Sequence, residues 1–114
     1  MLPFNNRLVK KRDFAKVQRM GRFLNSDQIS LKFLENGLPE ARIGIIVGKR
    51  FSLKAVERNS LKRRLREIAQ QKIGQMKKGW DIVIMANASQ KMAKTGETLV
   101  AVLEKMFKEA KIIN

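Results

Sequence analysis

Apolar residues recur along the chain with two periods, one helical and one strand-like. In 11–20, KRDFAKVQRM, Phe14 and Val17 lie three apart on one side of a polar run. This spacing predicts a short helix, with Gly21 as its stop. In 28–34, QISLKFL, Ile29, Leu31 and Phe33 alternate with Ser30, Lys32 and Leu34, the period of a strand with two different faces. Asn36-Gly37, with Pro39 close behind, marks a turn. The β-branched run 41–48, ARIGIIVG, predicts a second strand bounded by glycine. The two strands are expected to form an antiparallel pair, and Arg22–Asn25 leaves room for one further short strand.

The clearest helix spans 54–72, where Leu61, Leu65, Ile68 and Ala69 form an apolar stripe. Gly74 and Gly79 punctuate its exit. Residues 80–86, WDIVIMA, are almost continuously apolar after Asp81, which suits a strand covered on both faces and parallel to 41–48. Thr95 is expected to cap the last helix, with Glu97 in its first turn. Leu99, Val102, Leu103, Met106 and Ala110 give that helix its buried stripe. The order α-β-β-α-β-α predicts an α+β sandwich around one small mixed sheet. The 114 residues suffice for one domain, 1–114.

Charge changes the picture most. Lys and Arg number 25 against 10 Asp and Glu, a net +15. The excess is uneven: +6 over residues 1–24, −1 over 25–48, +9 over 49–80 and +1 over 81–114. Self-repulsion of this size opposes compaction unless a polyanion relieves it and releases counterions. Small soluble domains commonly carry a net charge of about 2–8. The partner expected from charge alone is a nucleic acid. Cysteine and histidine are both absent, which removes disulfides, thiolate metal sites and the commonest metal ligand. The start MLPFNNRLVKKRDF has no apolar core of a signal peptide, and no apolar run approaches the roughly 20 residues that span a bilayer. A cytoplasmic location is expected.

On a helical wheel Asn59, Lys62, Arg63, Arg66 and Gln70 share an arc roughly 100° wide. Leu61, Leu65, Ile68 and Ala69 occupy the opposite side. Arg58 falls beside the apolar stripe, and Ser60 and Arg64 point to a third side. Guanidinium forks and an amide are the groups that hold phosphates and their neighbours. Ordinary solvated helices alternate sign and use Glu-to-Lys pairs. Residues 58–66 instead hold five cations and no acid, with Glu57 and Glu67 outside the run. A basic helix can also lie on an anionic membrane, but here the dry face is needed for the core and lacks an aromatic anchor.

These residues resemble a known family. The segment 54–67, KAVERNSLKRRLRE, is similar to the signature helix of the protein component of bacterial ribonuclease P: Arg-Asn-Arg, one variable residue, then Lys-Arg. The matching positions are Arg58, Asn59, Lys62 and Arg63. RIGIIVGKR at 42–50 resembles the family's strand ending in a basic pair, here Lys49-Arg50. NRLVKKRDFAKV at 6–17 is similar to the opening helix, with Phe14 at its aromatic position, and WDIVIMANA at 80–88 to a later strand. The likeness runs in order through nearly the whole chain. It implies a protein that binds the catalytic RNA and the 5′ leader of precursor tRNA, while the RNA, which requires magnesium, hydrolyses the phosphodiester. It also implies a left-handed crossover through the basic helix, and a leader cleft between the first helix and the sheet.

On that resemblance the expected RNA contacts are Arg58, Asn59, Lys62, Arg63 and Arg66, with Lys49, Arg50 and Lys54 beside them. The expected leader cleft holds Phe14, Gln18 and Lys32. Two positions depart from the family pattern: Ser60 stands where the third motif residue is usually Arg, and Gln18 where some members have a second aromatic. Phe14 has two readings, core residue or stacking platform. The ten acids are scattered with no two adjacent, so no catalytic residue and no metal or other cofactor bound by the protein alone is expected. Asp81 either caps a neighbour or touches a metal. No membrane or DNA partner is expected. A structural ribosomal protein would share the size, charge and mixed sheet. A DNA-binding module would need a helix-turn-helix partner, and a strand precedes the basic helix instead.

Overall fold

The computed structural model describes residues 2–26, 29–86 and 96–113. Its elements are α1 (Lys11–Met20), β1 (Arg22–Asn25), β2 (Ile29–Glu35), β3 (Arg42–Val47), α2 (Ala55–Lys72), β4 (Trp80–Ala86) and α3 (Gly96–Glu109). Single 3₁₀ turns stand at Phe4–Asn6 and Ile73–Gln75. The α+β sandwich, the short strand at Arg22–Asn25 and the stripe of the basic helix all take the expected form. Thr95, the expected cap of α3, lies outside the described residues, as do Gln28 and the Asn87-Ala88 end of the WDIVIMANA match.

The four strands lie in the order β1-β2-β4-β3. β1 and β2 are antiparallel, β2 and β4 antiparallel, β3 and β4 parallel. The expected antiparallel pairing of β2 with β3 is therefore wrong: β4 lies between them. The cause is visible in the connection. Asn36 donates its backbone N–H to the Gly79 carbonyl at 2.8 Å, and Gly79 donates its own to the Glu40 carbonyl at 3.3 Å. The 36–40 segment thus arcs over the start of β4 and does not close a hairpin. Gly79, at φ +88°, makes this possible, because left-handed backbone strains any residue with a side chain. β4 takes the centre because Ile82, Val83 and Ile84 are buried from both faces, whereas β3 leaves Ile46 exposed.

One face of the sheet carries Ile29, Leu31, Phe33, Ile43, Ile82 and Ile84 against α2 and α3. Leu61, Leu65, Ile68 and Ala69 come from α2; Leu99, Leu103, Met106 and Phe107 come from α3. Phe107, fully buried, had no place in the expected stripe of α3, where Val102 is only partly buried. The other face carries α1 over a smaller cluster of Leu8, Val17 and Val83, with Phe14, Leu34 and Met85 packed around it. Gly21 does stop α1, but with extended backbone (φ −72°, ψ 155°) and not in a left-handed cap. A Cβ there would lie 2.5 Å from the Val17 carbonyl oxygen, so close approach is what requires glycine.

Candidate nucleic-acid interface

The basic helix begins on Lys54, which has no side-chain oxygen to cap the free N–H groups. Ser52 supplies one. Its Oγ accepts the Lys54 N–H at 3.1 Å and donates to the Glu57 carboxylate, an acid in the first turn. Arg58 then donates from Nη1 to the Ser52 carbonyl at 2.9 Å. Arg58 is thus half-buried and clamps the 48–53 turn to the helix, unlike exposed Asn59, Arg63 and Arg66. Phe51, buried, anchors the same turn from inside, so Lys49, Arg50 and Lys54 project into solvent beside the helix start.

Asn59, Arg63, Arg66 and Gln70 are all exposed, at spacings of four, three and four residues. That spacing makes a straight stripe along the helix, about 16 Å long at 1.5 Å per residue. Lys62 lies half-buried at its side, and Ser60 is exposed. Arg64 is directed elsewhere. It lines a groove of about 500 Å³ between α2 and α3 together with Glu67 and Glu104. Glu104 also takes hydrogen bonds from Lys72 and Lys108, which hold its carboxyl below the ordinary range. The cationic surface is therefore the Asn59, Arg63, Arg66 and Gln70 stripe together with the 49–54 turn, with exposed Glu67 at the edge of the stripe.

On the opposite face, register arranges the floor under α1. Phe23 pairs with Lys32, Lys32 with Val83, and Val83 with Gly44, so these four positions form one row across the sheet. Phe14 lies over Gly44: a Cβ there would come within 2.5 Å of the ring's Cε1 and Cζ. Phe14 is half-buried, which joins its two readings: one part packs against Leu8, Val17 and Val83, and another lines an open groove. That groove, about 350 Å³, is walled by Arg7, Leu8, Val9 and Phe14, floored by Ile43–Ile45 and closed by Arg66 of α2. The N-terminal segment forms its upper wall because Leu8 donates its N–H to the Ile43 carbonyl at the edge of β3, at 2.9 Å. Arg66 therefore belongs to both the helix stripe and the groove.

Gln18 and Lys32 do not line this groove. The Gln18 amide donates to Met85 Sδ at 3.3 Å. The Lys32 ammonium donates to the Gln18 carbonyl at 2.6 Å, at the C-terminal end of α1, where the helix dipole favours a cation. Lys32 lies two strands from Gly44, roughly 10 Å. The glycine in the β-branched run RIGIIVG was the one signal that the sequence offered for the groove, since a glycine inside a strand marks a close approach.

Asp81 is engaged by protein groups. It accepts from Arg42 Nε at 2.8 Å and Nη2 at 2.7 Å, and from Asn36 Nδ2 at 2.8 Å. These bonds, the Asp81 one foremost, hold the Arg42 guanidinium above its ordinary pKa. Arg42 also reaches Asp13 at 3.5 Å, which ties the start of α1 to the sheet. Among the described residues no group of three or more metal-ligating side chains converges, and no helix is long and apolar enough to cross a membrane.

A family model described as ribonuclease P matches residues 2–111. The ribonuclease P protein component of a Pseudanabaena species is 45% identical over 85 residues, covering 74% of this chain and 73% of its own. That of Dehalococcoides mccartyi (strain CBDB1) is 35% identical over 109 residues, covering 96% and 88%. Among solved structures, the RNase P protein of Staphylococcus aureus superimposes with a TM-score of 0.84 at 27% identity, over 96% of this chain and 98% of that one. The RNase P protein of Thermotoga maritima gives 0.79 at 32% identity, over 90% and 96%.

Proposed function

This chain belongs to the ribonuclease P protein family, and from that premise we propose that it works as a single RNA-binding unit over residues 1–114, in the cytoplasm, as the protein subunit of that ribonucleoprotein. It grips the catalytic RNA with the stripe of Asn59, Lys62, Arg63 and Arg66 and with Lys49, Arg50 and Lys54. It takes the 5′ leader of precursor tRNA into the groove at Phe14. The RNA subunit, with magnesium, carries out the hydrolysis that releases the leader and leaves the mature 5′ end. This chain's residues bind, orient and screen. Cations between two polyanions lower their mutual repulsion, and the effect is largest where few magnesium ions are present to do the same.

The observation that carries this reading is the junction at Arg66, where a cationic stripe meets an open groove lined by Phe14. A ribosomal protein would need the charge but gives no reason for the groove. The test is reconstitution. The chain, freed of RNA by nuclease treatment, should leave precursor tRNA intact. Added to its catalytic RNA at low magnesium it should accelerate accurate leader removal, with a much smaller gain at high magnesium. Accurate trimming by RNA-free protein, or no gain at any magnesium level, would overturn it.

A further inference from the structure

Phe23 is 55% exposed, although it stands on the sheet face that α1 covers farther along. The cross-strand row explains this. α1 lies over its Gly44 end, and the row emerges beyond Lys32 at the edge strand β1. The Lys32 ammonium, held by the Gln18 carbonyl, sits 5.8 Å from the centre of the Phe23 ring, within the reach of about 6 Å for a cation–π contact. Arg19, Met20 and Arg22 are exposed around the same turn. Single exposed apolar residues are ordinary on a protein surface. This one stands beside a fixed cation, in the same row as the glycine under Phe14.

An exposed ring next to a positioned ammonium suits an unpaired nucleotide: the ring stacks on any base and the cation meets the flanking phosphate. We propose that Phe23, with Lys32, is a second stacking site, for a leader nucleotide other than the one at Phe14. Three strand spacings, about 14 Å, separate the Phe23 and Gly44 positions, too far for one base to touch both rings. The inference rests on the leader-binding role proposed above.

The experiment uses the reconstituted holoenzyme and precursor tRNAs with graded leader lengths, each also made with single abasic nucleotides along the leader. Phe23→Ala should weaken binding of long-leader precursor by roughly five- to 150-fold, the range for one lost base stack. Leaderless tRNA, assembly with the catalytic RNA and Tm should be unchanged, and Phe23→Trp should keep the affinity. One abasic position should cost wild type affinity yet cost Phe23→Ala nothing further, and it should differ from the position linked to Phe14. An unchanged leader preference in Phe23→Ala, or an equal loss on leaderless tRNA or on RNA assembly, would overturn the site. If wild type itself shows no preference for leaders, the leader-binding role falls and this inference with it.

Discussion

Arg42 and Asp81 face each other as register partners on two neighbouring parallel strands and join through two hydrogen bonds, at 2.7 and 2.8 Å. Asp81 is almost fully buried, and its other contact is the Asn36 amide from the connection that arcs over β4. Arg42 continues to Asp13 on α1. One guanidinium therefore joins β3, β4 and the helix over the candidate groove.

Arg42→Ala should leave the Asp81 carboxylate buried with only Asn36 to serve it. Removing one partner of a buried pair costs roughly 3–5 kcal/mol, and the partial exposure of Arg42 puts this case at about 3. Urea unfolding should show the loss as a lower midpoint. Arg42→Lys should recover only part, because a lysine cannot reproduce the two-pronged contact. A midpoint within error of wild type in Arg42→Ala would show that the pair does not stabilise the fold.

Gly44→Ala adds a methyl group where the Phe14 ring already lies. The backbone at Gly44 is not left-handed, so the cost is crowding alone, about 1–3 kcal/mol. The displaced ring should also lower the preference of the holoenzyme for leader-bearing substrate. Gly44→Ala combined with Phe14→Leu should regain stability but not leader preference, as thermal unfolding and substrate competition would separately show.

Arg63 and Arg58 share a motif but should respond differently. Arg63→Ala, at an exposed position, should weaken catalytic-RNA binding by about 1–3 kcal/mol and leave Tm unchanged. Arg58→Ala should lower Tm, at a cost of about 1 kcal/mol for the lost bond to Ser52, and should loosen the turn that carries Lys49 and Arg50. If about five cations meet phosphates, log K against log salt should slope near −3 to −5 in wild type, shallower by nearly one in Arg63→Ala. A flat wild-type slope would remove the phosphate contacts from the account.

Glu104 offers a pH test. Its carboxyl is held below the ordinary range by Lys72 and then Lys108. A depressed folded-state pKa contributes stability above the unfolded value of about 4.3, and the contribution disappears as pH falls through the folded value. Glu104→Gln should therefore lower the urea midpoint slightly at neutral pH, with the difference from wild type vanishing in acid. A difference that widens in acid would contradict the assignment.

The helices and strands were legible in the sequence because each is written in local period: 3.6 for the stripe of α2, two for β2, an unbroken apolar run for β4. The chemistry of the basic helix was legible for the same reason, since one wheel places Asn59, Arg63 and Arg66 together and the run 58–66 holds five cations and no acid. Strand order was not local. β2 and β3 are successive in the chain and both look ready to pair, yet the deeper apolar burial of β4 and the Gly79 hydrogen bonds place β4 between them. The same tertiary step decided which motif residues are exposed and which are tied to the fold. Arg58 turned inward because Ser52 offers a carbonyl at the helix start, whereas Arg66 came to line a groove with Phe14, from residues 52 positions away in sequence. Side-chain type and spacing determined that the chain is a basic α+β protein with one cationic helix face. Only packing, through register and close approach at Gly44, decided that this face meets an aromatic groove.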